Sequence, residues 1–533
     1  MRRWNGWGDD HTVSHLPAAA AGFLAERVGS GKPPEDITLA EVVAAVSPSR
    51  LPAHALVSQE PASRVLHARG QSLPDWIALR SGQIAAFPDG VAYPTNDSEV
   101  SALIHYAAEV GARLIPYGGG TSVVGHINPQ PGDAPVLTVD LRRLNQLHRF
   151  NVTSLLATFG AGVVGPDLEA QLRARGYTLG HFPQSFEYST LGGWVATRSS
   201  GQQSLRYGRI EELFAGGRVE SPAGTLEMPP FPASAAGPDL RQVILGSEGR
   251  MGIITEATVR VVPLPEEESF HALFFPDWGR GQTAVRAIAQ AQLPLSMMRL
   301  STPNETTTNL ALAGHPRLLG LFQQVLGMRG AGEDKSMAIL GFTGSRREMA
   351  WARKEALALA RAQGGIAVGT LFGSQWKKNR FRAPYLRNTL WEMGYAVDTL
   401  ETATTWDKVP GTVDAIEQAI RSALTEWGER VHVFTHLSHL YPTGSSIYTT
   451  YLFRLASTPE ETLRRWQALK GTASRALVAC GATISHQHGV GVDHAPYVGA
   501  EKGALGLSAV ATLCQHFDPK GMMNPAVLLP QEG

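Results

Sequence analysis

Between Pro116 and His126 the chain reads PYGGGTSVVGH, three glycines directly behind the apolar stretch ARLIPY. This feature narrows the choice of fold more than any other. An apolar run that stops at consecutive glycines reads as a strand entering a loop whose backbone can approach another group closely, since glycine has no Cβ to cover its N–H. Successive N–H groups then face one concavity suited to a pyrophosphate, and Thr121 and Ser122 add hydroxyls. A Gly-rich turn that binds nothing uses the same residues, so the loop alone leaves both readings open. The spacing is neither GxGxxG nor a GxxxxGK motif, which disfavours Rossmann and Walker nucleotide sites.

Two further small-residue segments lie far away in sequence: PQSFEYSTLGGWVATRSSG at 183–201 and GSEGRMGIITEATVRV at 246–261. Three such loops in one α+β unit imply an extended ligand that contains phosphate. A chain of 533 residues also calls for more than one core. We expect a helical, Pro-punctuated lead-in over 1–85, a loop-bearing α/β region over 86–266, and an α+β region over 267–480. The last of these has long amphipathic helices between strands such as MAILGFTG and VHVFTHLSHL. A closing segment over 481–533 returns to the first domain. Asn96 or Asp97 caps a helix whose Val100, Leu103, Ile104 and Ala107 share one face, and Asp36 caps DITLAEVVAAV.

Composition mainly excludes. Lys+Arg and Asp+Glu balance at 47 each, so no global field draws nucleic acid, and any anion must be recognised locally. Only Cys480 and Cys514 occur, which suits a reducing compartment and rules out a disulfide framework. No apolar run approaches the ~20 residues of a membrane span. MRRWNGWGDD lacks the apolar core of a secretory leader, and LLPQEG is no peroxisomal signal. The expectation is a soluble, cytoplasmic protein.

The segment ISHQHGVGVDH at 484–494 concentrates three histidines. A metal site, a catalytic wall and a structural loop would all use these residues. On a strand, His486 and His488 would share a face, and Asp493 or His494 would complete a zinc site.

The order YPT, NDSEV, IPYGGGTSVVG, VDL, GHFPQSFEYSTLGGWVATRSSG, RYGRIEEL and GSEGRMGIITEATV resembles the FAD-binding domain of the vanillyl-alcohol oxidase type flavoproteins. Within that group the closer likeness is to the alkyldihydroxyacetonephosphate synthases and their bacterial relatives, from RRWNGWG to FDPKGMMNPAVLL. The resemblance implies an α+β fold: a PCMH-type FAD-binding domain of two α/β subdomains and a substrate-binding α+β cap with an antiparallel sheet. It implies that Pro116, Tyr117, Gly118, Gly119, Gly120, Thr121 and Ser122 hold the FAD pyrophosphate. Gln184, Ser185, Ser189, Thr190, Gly193, Thr197, Ser200, Glu248, Gly249, Gly252, Ile253 and Ile254 would line the rest of the cofactor. Many relatives bond the flavin to a histidine in the first loop. Here His126 lies beyond that loop, so FAD is expected to be non-covalent.

The same likeness implies that Arg387 binds the substrate phosphate, with His439 also at the substrate. A guanidinium meets phosphate with two parallel hydrogen bonds. Tyr448 matches the catalytic tyrosine, a phenol able to pass a proton if a neighbour lowers its pKa. His486 and His488 match the outer two of three consecutive catalytic histidines, and Gln487 replaces the middle one with a group that only hydrogen-bonds. Related D-lactate type flavin dehydrogenases hold a metal with paired histidines and a glutamate. Here Tyr448 and Gln487 interrupt that set, so no metal is expected. The implied reaction exchanges the acyl chain of acyl-dihydroxyacetone phosphate for a fatty alcohol, without net oxidation. The alternative is a dehydrogenase of a polyol phosphate or 2-hydroxy acid that passes electrons to a quinone or another acceptor. The implied partners are a small phosphate or lipid substrate, a second copy in a homodimer, and peripheral contact with a membrane, without nucleic acid.

Overall fold

The computed structural model describes residues 2–312 and 316–531. The loop-bearing half opens with β1 (Val57–Ser58), β2 (Gly90–Ala92), β3 (Arg113–Tyr117) and β4 (Val136–Asp140). They form one sheet in the order β1-β2-β4-β3, parallel except at β1. Parallel neighbours need long crossovers, and the helix Asp97–Val110 supplies one. The Asn96 side chain accepts from the Glu99 N–H at 2.9 Å to start this helix, and Gly111, at φ +68°, ends it. Val100, Leu103, Ile104 and Ala107 are buried against the sheet. The earlier expectation for Asp36 is corrected: the helix Leu39–Ala44 is capped by Thr38, which forms a reciprocal box with Glu41, while the Asp36 carboxylate is taken by Arg80 at 2.5 Å.

Next in the chain come β5 (Leu147–Asn151), β6 (Leu156–Gly160), β7 (Tyr177–Thr178), β8 (Phe214–Ser221), β9 (Gly224–Met228), β10 (Ile253–Arg260) and β11 (Val262–Pro263). An antiparallel sheet runs β5-β6-β10-β8-β9, and β7 pairs with β11 beside it. The cap contributes β12 (Glu267–Phe275), β13 (Met297–Ser301), β14 (Ser336–Gly344), β15 (Ile366–Gly369), β16 (Tyr395–Thr405), β17 (His432–Leu440) and β18 (Gly444–Arg454). They form one antiparallel sheet in the order β15-β12-β14-β13-β17-β18-β16. Every residue of β14 is buried. Its near-continuous apolar run SMAILGFTG reflects a strand covered on both faces, one by the main cap core and the other by a cluster around Phe270 and Phe274.

The lead-in is shared between the two halves. Leu24 and Val28 of the helix Ala18–Val28 pack with Leu390, Tyr395 and Leu452 of the cap, and Leu73, Trp76 and Ile77 enter the main cap core, whereas β1 joins the first sheet. At the other end Met522 and Met523 pack into the core of the first sheet, and the Asn524 N–H donates to Leu114 O at 2.8 Å. Among the described residues no helix is long and apolar enough to cross a membrane.

Candidate functional site

A cavity of about 540 Å³ is lined by residues from both halves of the chain. Its first wall is main chain. The loop after β3 lies flat on the second small-residue segment: a Cβ at Gly119 would stand 1.9 Å from Tyr188 O, and one at Gly118 would stand 2.3 Å from Thr190 Oγ1. Only glycine permits that contact. The amides of Gly118, Gly119, Gly120 and Thr121 donate to no protein group among the described residues, although all four residues line the cavity. Gly119 and Gly120 are buried. Buried amides left unpaired are costly unless something accepts from them, so this row fits a pyrophosphate.

Of the expected cofactor residues, Pro116 to Ser122, Gln184, Ser185, Ser189, Thr190, Gly193, Thr197, Ser200, Glu248, Gly249, Gly252 and Ile254 all line the cavity. Ile253 does not. Along β10 successive side chains alternate, so Ile254 faces the cavity while Ile253 packs into the core of the first sheet with Leu114 and Met523. Glu248 holds a left-handed backbone at φ +53°, which is uncommon for a non-glycine residue. Its carboxylate accepts from the Val490 amide and from the Gly491 amide at 2.8 Å, and it lies 3.2 Å from His126 Nε2. His126 Nδ1 meets Ser122 Oγ at 2.8 Å. Glu248 therefore ties the Gly-rich loop to the histidine segment through its side chain.

The second wall is built of side chains on the cap sheet. One rung crosses three strands: Tyr448 on β18 stands opposite Glu401 on β16 and His436 on β17. Side chains so paired lie on the same face of the sheet. The His436 ring stacks on Tyr448 at 4.9 Å, its Nδ1 is 3.0 Å from Glu305 Oε1, and Glu305 is paired with Arg299. The condition of a lowered phenol pKa is not met. Burial pushes Tyr448 up to about 12, so it is held as a proton donor.

His439 is the extra residue of a β-bulge, since the pairing of β17 with β18 shifts between Ser438 and Leu440. It has φ +45°, and the bulge aims its ring into the cavity wall. Its Nδ1 lies 3.0 Å from Ser200 Oγ and 2.9 Å from Ser204 Oγ, and burial drives its pKa down to about 3. The imidazole is neutral.

The segment carrying His486 and His488 forms no strand, which corrects the shared-face expectation. It runs irregularly along β16, the sheet edge, through Thr483 N to Ala403 O at 3.1 Å and His486 N to Glu401 O at 3.0 Å. Glu248 and the Val124 carbonyl take the amides that follow. The two histidines consequently part: His488 and Gln487 line the cavity, while His486 does not and sits behind the wall. His488 stands edge-on to Tyr448, with ring centroids 6.1 Å apart, and burial lowers its pKa. Glu401, His439 and His486 bring ligand-type atoms within 4.8 Å of one another, a cluster centred on a carboxylate that the sequence reading did not single out. Glu401 stands inside the segment DTLETATTWDK, but strand periodicity does not tell which of its side chains meets the histidines.

Arg387 projects from the helix Ala383–Glu392 to the cavity. Its guanidinium lies 4.4 Å from the Trp76 ring centre, Nη1 donates to Gln71 O at 2.9 Å, and Nη2 is buried without a partner. Burial draws its pKa below the usual value. Arg299, the other arginine on the lining, is already neutralised by Glu305, so Arg387 has the donor left for an anion. The lining also includes Phe23, Leu24, Leu312, Leu390, Phe434 and Leu452, of which Leu24, Leu390, Phe434 and Leu452 pack as one cluster; these residues form its apolar arm.

The family model described as FAD binding domain matches residues 88–228, and that described as FAD linked oxidases, C-terminal domain, matches residues 264–528. The chain is 30% identical over 475 residues to the alkyldihydroxyacetonephosphate synthase of Dictyostelium discoideum, spanning 88% of this chain and 77% of that one. It is 30% identical over 477 residues to the enzyme of the same name from Trypanosoma brucei brucei, with the same two coverages of 88% and 77%. A solved alkyldihydroxyacetonephosphate synthase superposes with TM-score 0.84 at 25% identity, covering 99% of each chain.

Proposed function

The chain belongs to the family of FAD-dependent enzymes that contains the alkyldihydroxyacetonephosphate synthases, and from that premise we propose that it exchanges the acyl chain of an acylated dihydroxyacetone phosphate for a fatty alcohol. The observation that carries the reading is the set of surfaces that line one cavity: a row of free amides, the Tyr448–His488 wall, the unpaired Nη2 of Arg387, and an apolar arm. A dehydrogenase of small hydroxy acids has no use for that arm.

The amides of Gly118 to Thr121 would hold the FAD pyrophosphate. Bound FAD would supply an electron-poor ring beside the headgroup; the acyl chain would leave as a carboxylate and the alcohol would take its place. His126 Nδ1 is engaged by Ser122, and its Nε2 is buried 3.2 Å from Glu248, which supports a non-covalent cofactor. Arg387 anchors the substrate phosphate, and its place on Trp76 sets the depth at which the headgroup rests. His488, kept neutral by burial, takes the proton of the incoming alcohol. Tyr448, kept protonated, donates to the oxygen of the headgroup nearest it. The C–O bond to the acyl group breaks, a C–O bond to the alcohol forms, and no electrons are transferred overall.

A homodimer and a peripheral membrane position go with this reading. Leu321, Val325 and Met328, 64%, 41% and 79% exposed on the helix Pro316–Met328, follow Leu312 of the apolar arm and would face a bilayer. The deciding experiment adds acyl-dihydroxyacetone phosphate and labelled hexadecanol to the purified holoprotein under anaerobic conditions. Labelled alkyl ether with oxidised flavin throughout is the expected result. Bleaching of the flavin by glycerol 3-phosphate or a D-2-hydroxy acid, with no ether formed, would replace the synthase by a dehydrogenase.

A further inference from the structure

Glu401 is buried and lies within 4 Å of His486, Gln487 and His488 of the edge segment and of His439 on β17. Oε1 is 3.1 Å from His486 Nδ1 and 3.9 Å from His439 Nε2, and Oε2 accepts from Gln487 Nε2 and lies 4.0 Å from His488 Nε2. No other carboxylate among the described residues has this position.

The donors around these groups decide where their protons sit. His486 Nε2 meets Arg209 Nη1 at 2.6 Å and Tyr441 Oη at 2.7 Å. A guanidinium only donates, so Nε2 must be the accepting nitrogen, and the proton of the neutral ring is on Nδ1, which lies 3.1 Å from Glu401 Oε1 without a well-directed hydrogen bond to it. Gln487 is ordered in the same way. Its Oε1 accepts from the Ser200 N–H at 3.1 Å, which leaves its Nε2 to donate to Glu401. Arg209 thus sets the tautomer of a ring behind the wall, and Glu401 helps to set the orientation of an amide on it. Through Gln487 it also ties the cap to Ser200 of the cofactor side.

We propose that Glu401 is the positioning residue of this site: its buried carboxylate lies beside Nδ1 of the His486 tautomer that Arg209 requires and holds Gln487 as a one-way strut to Ser200, which together set the place of His488 and His439 on the cavity wall. The inference rests on the proposed synthase reading only for its activity assay. The spacing of Glu401, His439 and His486 would also admit a cation, but Nδ1 of His486 would then have to be bare while Arg209 still claims Nε2.

The groups facing Glu401 are His439 from β17, Tyr448 from β18, and His486 and His488 from the edge segment, with Arg209 behind His486. The first test is long-range ¹H–¹⁵N spectroscopy of the histidine-labelled holoprotein, with the His486 signals identified by their loss in His486→Gln. A single Nδ1–H tautomer between pH 6 and 8 is expected; an Nε2–H tautomer, or a stoichiometric metal bound at the ring, overturns the proposal. In the second test, Glu401→Gln is expected to keep FAD and to lose about 10- to 100-fold in kcat with KM little changed. The Glu401→Gln, Gln487→Glu double variant restores an unbroken donor order from His486 to Ser200 and is expected to recover turnover to within about 5-fold of the parent. A Glu401→Gln protein with parental kcat, or a folded double variant no better than the single one, overturns it. If the parent itself makes no ether, the synthase reading fails, and the tautomer measurement still tests the proposal.

Discussion

The two walls of the cavity are made of different material. On the cofactor side the contacts come from peptide N–H groups held by glycines, whereas on the cap side they come from side chains set on strands and one irregular segment. A main-chain wall depends on the absence of side chains, so almost any substitution damages it. A side-chain wall depends on the order of donors and acceptors, and it tolerates a change of residue that preserves that order. Gln487 illustrates the second case, since it stands where the family carries histidine and both ends of its amide are satisfied.

The largest effect is expected where the first wall is filled. In Gly119→Ala the new methyl group meets the Tyr188 carbonyl, an overlap costing at least about 2 kcal/mol, and the protein should purify without yellow colour. A flavin-replete Gly119→Ala protein with normal activity would break the contrast. Tyr448→Phe should keep its flavin spectrum and lose about 10²- to 10⁴-fold in kcat, as expected for removal of a positioned proton donor. Equal loss of flavin and turnover would mean that the side-chain wall also shapes the cofactor site.

Acid should weaken the side-chain wall selectively. His439, with a folded pKa near 3 against an ordinary value of 6.5, is neutral in the native protein and protonated in the unfolded chain between those values. The unfolded state therefore binds more protons, and stability falls as pH drops from about 6.5 toward 3, by an amount on the order of a few kcal/mol. Thermal unfolding of the parent and of His439→Gln across that window checks this: the variant should lose part of the slope. Arg387→Lys removes the free Nη2 donor and the stacking on Trp76, and should raise KM for the phosphate substrate about 10-fold with kcat nearly unchanged. Smallest of all, Gln487→His should change kcat by less than about 10-fold, because an imidazole can still bridge Ser200 and Glu401. A larger gain in ether synthesis would show that the middle residue takes part in the chemistry.

The legible part of the site follows the same division. The glycines, Thr121, Ser122 and the small-residue segments announced themselves because backbone exposure is a local property, written in the residues that create it. Tyr448 and Arg387 were readable through family likeness. Glu401, Arg299, Glu305 and His436 were not, because each acts through a partner that strand pairing delivers from elsewhere in the chain. Nor was the separation of His486 from His488. A two-residue spacing puts side chains on one face only when the backbone is extended, and this segment is pinned to a sheet edge by Glu248 and Glu401 instead. Ile253 was misplaced for the opposite reason: β10 is regular, so strict alternation sends it to the core.

By itself the amino-acid sequence determined the two-part α+β organisation, the Gly-rich loops and the residue types available for phosphate and proton handling, since periodicity and missing side chains act over a few residues. The tertiary structure alone decided which histidine faces the cavity, which arginine is free and which carboxylate meets the histidines. Those outcomes depend on strand register and on competition for each donor among groups hundreds of residues apart.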